Sequence, residues 1–292
     1  MRAELSIAAL VLCGSMSAAA QRTPSDGPII GRRAVSPTVL VKAWNSAGTI
    51  RFVGWDKDSI VMRGRVPKSR HTLFTGTDAA MKVGLEPKWG GTDTARADLV
   101  VYLPRRATVS AKSIIGDIAA TDVSGWFYSV SGSIRLSGSV SSATVESMSG
   151  NLDLDVATPW IKAQTGNGHL LLRGAAQDAD LSTVSGTLSV ASSAVLRGQF
   201  SSVSGEIQYA ATPAPGGIFE FSNHSGGVDL LLPASTSATL ALSSITGAIA
   251  NGFTRIRPVA TAPHAVRITL GNGAAQMTVR TFKGVIRLRP EP

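Results

Sequence analysis

A short unit closing on Ser-x-Ser-Gly, or a near variant, recurs about every eighteen residues through most of this chain. It reads Ser129-Val130-Ser131-Gly132, Ser147-Met148-Ser149-Gly150, Thr183-Val184-Ser185-Gly186, Ser202-Val203-Ser204-Gly205, Asn223-His224-Ser225-Gly226 and Ser244-Ile245-Thr246-Gly247. A unit this short cannot bury its apolar face alone, so successive units must stack and cover one another. With the motif glycine at position zero, the anchors are Gly116, Gly132, Gly150, Gly168, Gly186, Gly205, Gly226, Gly247 and Gly284. Their spacings are 16, 18, 18, 18, 19, 21, 21 and 37, the last fitting two turns.

Position +2 holds Ile118, Ile134, Leu152, Leu170, Leu188, Ile207, Val228, Ile249 and Ile286, and +4 is nearly as uniformly apolar from Leu136 to Leu288. Between them, +3 varies freely, with Arg135, Asp153, Gln208 and Asp229 among its occupants. Such alternation is that of a strand, with +2 and +4 facing in and +3 facing water. Upstream, −5 is mostly apolar, −3 is small and hydroxylated or amidic, and −2 is apolar again, as Val130, Met148, Val203 and Phe282 show. Two strands therefore meet at a corner. There glycine would supply a backbone conformation costly for a residue with a Cβ, and the −3 hydroxyls would satisfy corner backbone groups. The run Gln164-Thr165-Gly166-Asn167-Gly168 leaves open which glycine holds its corner.

Of 292 residues, 43% are hydrophobic but only 5% aromatic, which argues against a thick globular core. Met1 to Ala20 read as a secretory signal: Arg2, an apolar stretch from Leu5 to Leu12, and the small residues Ala18-Ala19-Ala20. That stretch is too short to span a bilayer, and no transmembrane span is expected in the mature chain. The one cysteine, Cys13, lies inside this signal and is preceded by Leu12 rather than the small residue a lipid anchor wants. The mature protein then needs no disulfides despite its export. The net charge of +9 is uneven: residues 21–106 carry 15 basic and 7 acidic groups, 107–250 carry 5 and 10, and 251–292 carry 7 and 1. Basic ends protect terminal strands from pairing with other chains, or attract anionic envelope polymers, lipid headgroups or nucleic acid.

The expected fold is all-β: a β-solenoid (β-helix) of about 18–21-residue turns with an N-terminal β cap. Its parts would be a signal at 1–20, a flexible leader at 21–36, the cap region at 37–106, and solenoid repeats with C-terminal closing turns at 107–292. Within the cap, Thr49 to Trp55 and Ser59 to Arg65 alternate as strands around a turn at Asp56-Lys57-Asp58, and Ser69 to Ala97 reads as irregular. Gly90-Gly91 reads as a loop, and Val266 to Leu288 would close the far end.

Together these features resemble the bacterial DUF4097 family of adhesin-like domains, over roughly Val39 to Leu288. The matching residues include Gly48-Thr49-Ile50 followed by Val53-Gly54-Trp55-Asp56, and Leu99-Val100-Val101-Tyr102-Leu103-Pro104 before the repeats. The ordered Ser-Gly series follows, then Gly271-Asn272-Gly273 leading into Thr281-Phe282-Lys283-Gly284-Val285-Ile286-Arg287-Leu288. The resemblance implies an exported β-solenoid without a recognised activity, and it brings no site residues with it.

Chemistry is hard to find. His169 and His224 have anchors three turns apart, near 14 Å at about 4.8 Å per turn, too far for one metal ion. A packed or corner histidine is the plainer reading of His224. Asp153 and Asp229 share a column four turns apart, about 19 Å, beyond the reach of a glycosidase pair. Asp153 with Asp155, and Asp178 with Asp180, are solvated charges or at most a weak cation site. The motif serines are explained by corners, and none sits in a Gly-x-Ser-x-Gly elbow. Gly271-Asn272-Gly273 lacks the following helix of a phosphate loop. Trp44, Trp55, Trp89, Trp126 and Trp160 either pack at loops and caps or stack on sugars. Arg63-Gly64-Arg65 with Lys68 and Arg70, and Arg255-Ile256-Arg257, lack interleaved aromatics, so no nucleic acid is expected. The expectation is therefore a non-enzymatic binding or scaffolding module, exported to the periplasm or cell surface, without cofactor or metal. Its partner would be an envelope protein, a glycan or an anionic polymer, met through Arg135, Asp153, Gln208 and Asp229. A polysaccharide-acting β-helix enzyme is the alternative.

Overall fold

The computed structural model describes residues 27–86 and 95–291, and every regular element within them is a β-strand. The expected signal, Trp89 and the Gly90-Gly91 loop lie outside the described residues. The first part holds β1 (Ile29–Ala34), β2 (Leu40–Asn45), β3 (Ala47–Trp55), β4 (Ser59–Arg65), β5 (Thr72–Gly76), β6 (Ala80–Leu85) and β7 (Arg96–Pro104). The repeats supply β8 (Thr108–Ser113), β9 (Asp117–Thr121), β10 (Ser124–Ser129), β11 (Ile134–Ser139), β12 (Ala143–Ser147), β13 (Leu152–Thr165), β14 (Leu170–Thr183), β15 (Leu188–Ser202), β16 (Ile207–Ala210), β17 (Ile218–Asn223) and β18 (Val228–Leu232). Then come β19 (Ala238–Ser244), β20 (Ile249–Asn251), β21 (Val259–Ala262), β22 (Ala265–Leu270), β23 (Ala275–Thr281) and β24 (Ile286–Pro290).

The repeats stack as parallel ladders on both sides of the glycine corner. After the glycine, Ile118, Ile134, Leu152, Leu170, Leu188, Ile207 and Val228 are register partners in turn. Before it, Phe127, Val145, Ala163, Leu181, Phe200 and Phe221 form a second file. Both files are buried. The two sheets pack on each other: Phe52 meets Phe127 with ring centroids 6.3 Å apart, and Tyr209 meets Phe221 at 5.5 Å. The fold is thus an all-β, solenoid-like stack with a thin aliphatic interior. Each buried side chain contributes about 1.5–3 kcal/mol before entropy is subtracted.

The corner glycines are small for a reason other than backbone freedom. None of Gly116, Gly132, Gly150, Gly168, Gly186, Gly205, Gly226, Gly247 and Gly284 has a left-handed φ. Instead a Cβ on Gly186 would lie 1.8 Å from the carbonyl oxygen of Gly168, and one on Gly150 would lie 2.0 Å from that of Gly132. Each turn's corner therefore rests directly on the carbonyl of the corner below. Gly168, and not Gly166, continues this column. The −3 side chains lock it: the N–H groups of Gly116, Gly132 and Gly150 donate to Ser113, Ser129 and Ser147 at 2.9, 2.8 and 2.8 Å. Asn223 takes the same place for Gly226 at 3.0 Å and donates onward to the Gly205 carbonyl at 2.7 Å.

The apolar −2 position points outward. Met148, Val184, Val203 and Ile245 are 50–59% exposed, and they form a ridge along the corner. Following an inward −3 residue, the chain must turn its next side chain out, whatever that side chain's polarity. Neighbours on the ridge cover one another in part: His224 is exposed there and lies flat on Phe282, with ring centroids 5.1 Å apart.

Both ends depart from sequential stacking. The strands expected to flank the turn at Asp56-Lys57-Asp58 are not direct partners, because β7 lies between them, parallel to β3 and antiparallel to β4. The strand pair β2 and β3 is itself a turn of the stack, held between β6 and β7 on one side and β8 and β9 on the other. Ile29 to Ala34, expected to be a flexible leader, pair antiparallel with β4, and the stretch read as irregular contains β5 and β6. At the far end, β23 and β24 slide between earlier turns instead of closing the stack. Strand β23 pairs with β17 and β19, and β24 pairs with β18 and β20. The hairpin arms β22 and β23 straddle β19, crossing its start through Gly271 and Gly273, whose φ angles of 57° and 75° need glycine.

In the link between β9 and β10, Asp122 adopts φ 55° and accepts the Ser139 N–H at 2.9 Å. Arg105 bridges it to Asp56. The Ser139 N–H, and then the Arg105 guanidinium, outweigh desolvation and hold the Asp122 carboxyl below its ordinary value of 3.8. A depressed carboxylate stabilises the fold above its unfolded value, and this contribution is lost as pH falls through the folded value. Asp122→Asn tolerates the same backbone conformation. Its melting temperature should fall below the parent's at pH 7, and the gap should narrow as pH falls below the ordinary value of 3.8. A gap independent of pH would contradict the ionic role.

Candidate functional site

The outward positions of the first sheet form rows across the stack. The +3 row runs Val100, Arg51, Ala119, Arg135, Asp153 and Leu171, each the register partner of the next. The adjacent +1 row includes Asp98, Thr49, Asp117, Ser133, Asn151 and His169. These rows line an open groove of about 790 Å³, whose rim includes Gly27, Gly64 and Arg65. The groove exists because strand alternation leaves every second side chain outside and the parallel register repeats them at about 4.8 Å.

Its carboxylates are engaged by groups on neighbouring turns. Asp153 sits between two turns, accepting from Arg135 Nε at 3.2 Å and from Arg173. Asp98 accepts from the Thr49 N–H at 3.2 Å and from its hydroxyl at 2.9 Å. Asp117 accepts the Ser133 N–H at 2.8 Å. Among the described residues, Arg51 Nε is buried without a hydrogen-bond partner. Exposed ion pairs like these contribute little stability individually, about 0–1 kcal/mol, but they fix side-chain positions.

Arg135 and Asp153 thus lie in the groove, whereas Gln208 and Asp229 do not line it. Gln208 is exposed and bonded to Ser189 at 3.2 Å and Glu206 at 3.1 Å. Asp229 is only 9% exposed, gripped by Arg289 through Nε at 2.9 Å and a second nitrogen, so it offers no free carboxylate. Arg51 is the residue that sequence reasoning passes over. Treating 37–106 as a cap leaves Gly48 outside the alignment, although Gly48, Ile50 and Phe52 repeat the 0, +2, +4 pattern. Asp178 pairs with Arg197, which lowers the Asp178 carboxyl, and Lys162 meets Asp180 at 3.6 Å, so these acids serve cross-turn contacts. Among the described residues no three His, Cys, Asp or Glu side chains converge to hold a metal ion.

The tryptophans divide. Trp55 stacks on Tyr102 at 5.3 Å and donates to the Ser59 carbonyl at 2.9 Å. Trp126 stacks beside Tyr128 with Lys112 Nζ 4.8 Å above its ring. Trp44 donates to Ser46 at 3.2 Å, and Trp160 is 40% exposed.

A thin parallel stack with glycine-on-carbonyl corners and an outward groove defines a repeat protein of the β-solenoid-like class. The chain belongs to the DUF4097 family, described as Toastrack, whose sequence model matches residues 81–289. No curated protein matches it. Among solved structures, it is similar to a candidate adhesin from Bacteroides fragilis at 14% identity and TM-score 0.46, covering 91% of this chain and 98% of that one. A candidate adhesin from Parabacteroides distasonis aligns at 12% identity and TM-score 0.44, covering 90% and 98%. A candidate lipid-binding protein from the same organism aligns at 12% and 0.44, covering 88% and 95%.

Proposed function

We propose that this chain is an exported, non-enzymatic, adhesin-like binding or scaffolding module of the bacterial envelope. The observation that carries the reading is the groove, where polar side chains stand at fixed intervals on a stack held from turn to turn. Multipoint contact along such a face gives affinity without moving parts, because the ordering cost is met on folding rather than on binding. The carboxylates Asp153, Asp178 and Asp180 are engaged with basic side chains of neighbouring turns, which supports a presenting surface over acid–base chemistry. Among the described residues no helix is long and apolar enough to cross a membrane. The purified chain should capture a partner from envelope extracts, and should release no product from a panel of neutral and uronic-acid glycans. Product formation would favour the polysaccharide-acting enzyme instead.

A further inference from the structure

We infer that the groove takes an acidic oligosaccharide of the uronate type, whose carboxylate is received by Arg51 and Arg135 across Ala119. This rests on the binding reading above and names the chemistry of its ligand. On the strands beside it, Arg51 faces Val100 and Ala119, so no carboxylate meets it in register. Its Nε is buried, lacks a partner among the described residues, and belongs to a side chain lining the groove. A buried N–H left unpaired is costly, and in a native fold such a group calls for an explanation, of which a ligand acceptor is one. The acids nearby are already engaged: Asp98 by Thr49, Asp117 by Ser133, and Asp153 by Arg135 and Arg173.

Arg135 stands on the far side of Ala119, two strand spacings from Arg51, or about 10 Å. The alanine methyl leaves the space between the two long side chains open. A guanidinium presents parallel N–H groups that match a planar carboxylate, whereas a lysine would act only as a point charge. Alongside runs the +1 row, where Asp98 and Asp117 are held by Thr49 and Ser133, and where Ser133, Asn151 and His169 offer partners for hydroxyls. Among the described residues that line the groove there is no Trp, Tyr or Phe, and those present offer charge and hydrogen bonds. A chain bearing carboxylates on one edge and hydroxyls on the other meets both rows together. An acidic peptide would meet the second row only through its backbone amides.

Calorimetric titration of the full chain with a galacturonate trimer, the neutral galactose trimer and triglutamate tests this. Binding of the uronate trimer is expected, at least about tenfold tighter than either of the other probes. Arg51→Gln should weaken it at least about tenfold while leaving the melting temperature within about 3 °C of the parent. Ala119→Glu, which places an internal carboxylate between the two arginines, should abolish uronate binding without lowering the melting temperature. The inference is overturned by equal binding of the neutral trimer or triglutamate, by undiminished binding to either variant, or by no uronate binding at all. Capture of an envelope partner by parent and Arg51→Gln alike would remove this inference and leave the broader reading standing. Failure to capture any partner would remove that reading itself.

Discussion

Valine at Gly186 is expected to abolish the cooperative thermal transition or lower its midpoint by more than about 10 °C. The cause is geometric. The added Cβ would sit 1.8 Å from the Gly168 carbonyl oxygen, and the atom it strikes is backbone, fixed by the ladder on both sides. Relief requires parting two turns, which breaks hydrogen bonds in both sheets and opens the aliphatic interior between Leu170 and Leu188. Ser189→Ala, three residues away, should change the midpoint by less than about 2 °C, because Ser189 loses only a surface bond to Gln208. Equal and small shifts for the two variants, read by calorimetry or circular dichroism, would contradict the assigned register.

Deletion of residues 275–292 should be nearly as severe. If β23 and β24 merely closed the stack, trimming them would expose one face of one turn. In the observed order they are an internal layer, with β17 and β18 on one side and β19 and β20 on the other. Their removal strips both neighbours at once and leaves β19, β21 and β22 paired only with one another. The truncated chain should lose at least about 10 °C in midpoint and become sensitive to protease between Ala238 and Leu270. A truncation that keeps the parent midpoint and stays resistant would refute the intercalated order.

The interior was legible because its cause is local and periodic. Alternation at +2 and +4 places Ile134, Leu152 and Leu188 in one file, and a repeated glycine marks each bend. Two features were hidden for physical reasons. Hydrophobicity does not distinguish an inward −5 residue from an outward −2 residue such as Val203, since the corner decides which way the side chain points. The order of the end turns is a matter of non-local pairing, and β3, β7 and β24 carry the same alternation whichever neighbour they meet. The spacing of 37 between Gly247 and Gly284 held the clue, but two successive turns fit it as well as one displaced turn. The +3 row places Arg135 and Asp153 in the groove, whereas nothing in the repeat reports that Arg289 covers Asp229. Arg51 was missed because its turn lies inside the stretch read as a cap.

The interleaved ends also restrict how such proteins can change length over evolution. Between Gly132 and Gly205 the order of turns follows the chain, so a tandem duplication there lengthens the stack while every new layer finds its neighbours. A repeat appended after β24 would have to thread past strands that already embrace it, β18 and β20. Growth within this lineage should therefore have happened in the middle, with the intercalated β19–β24 layers inherited as a finished piece.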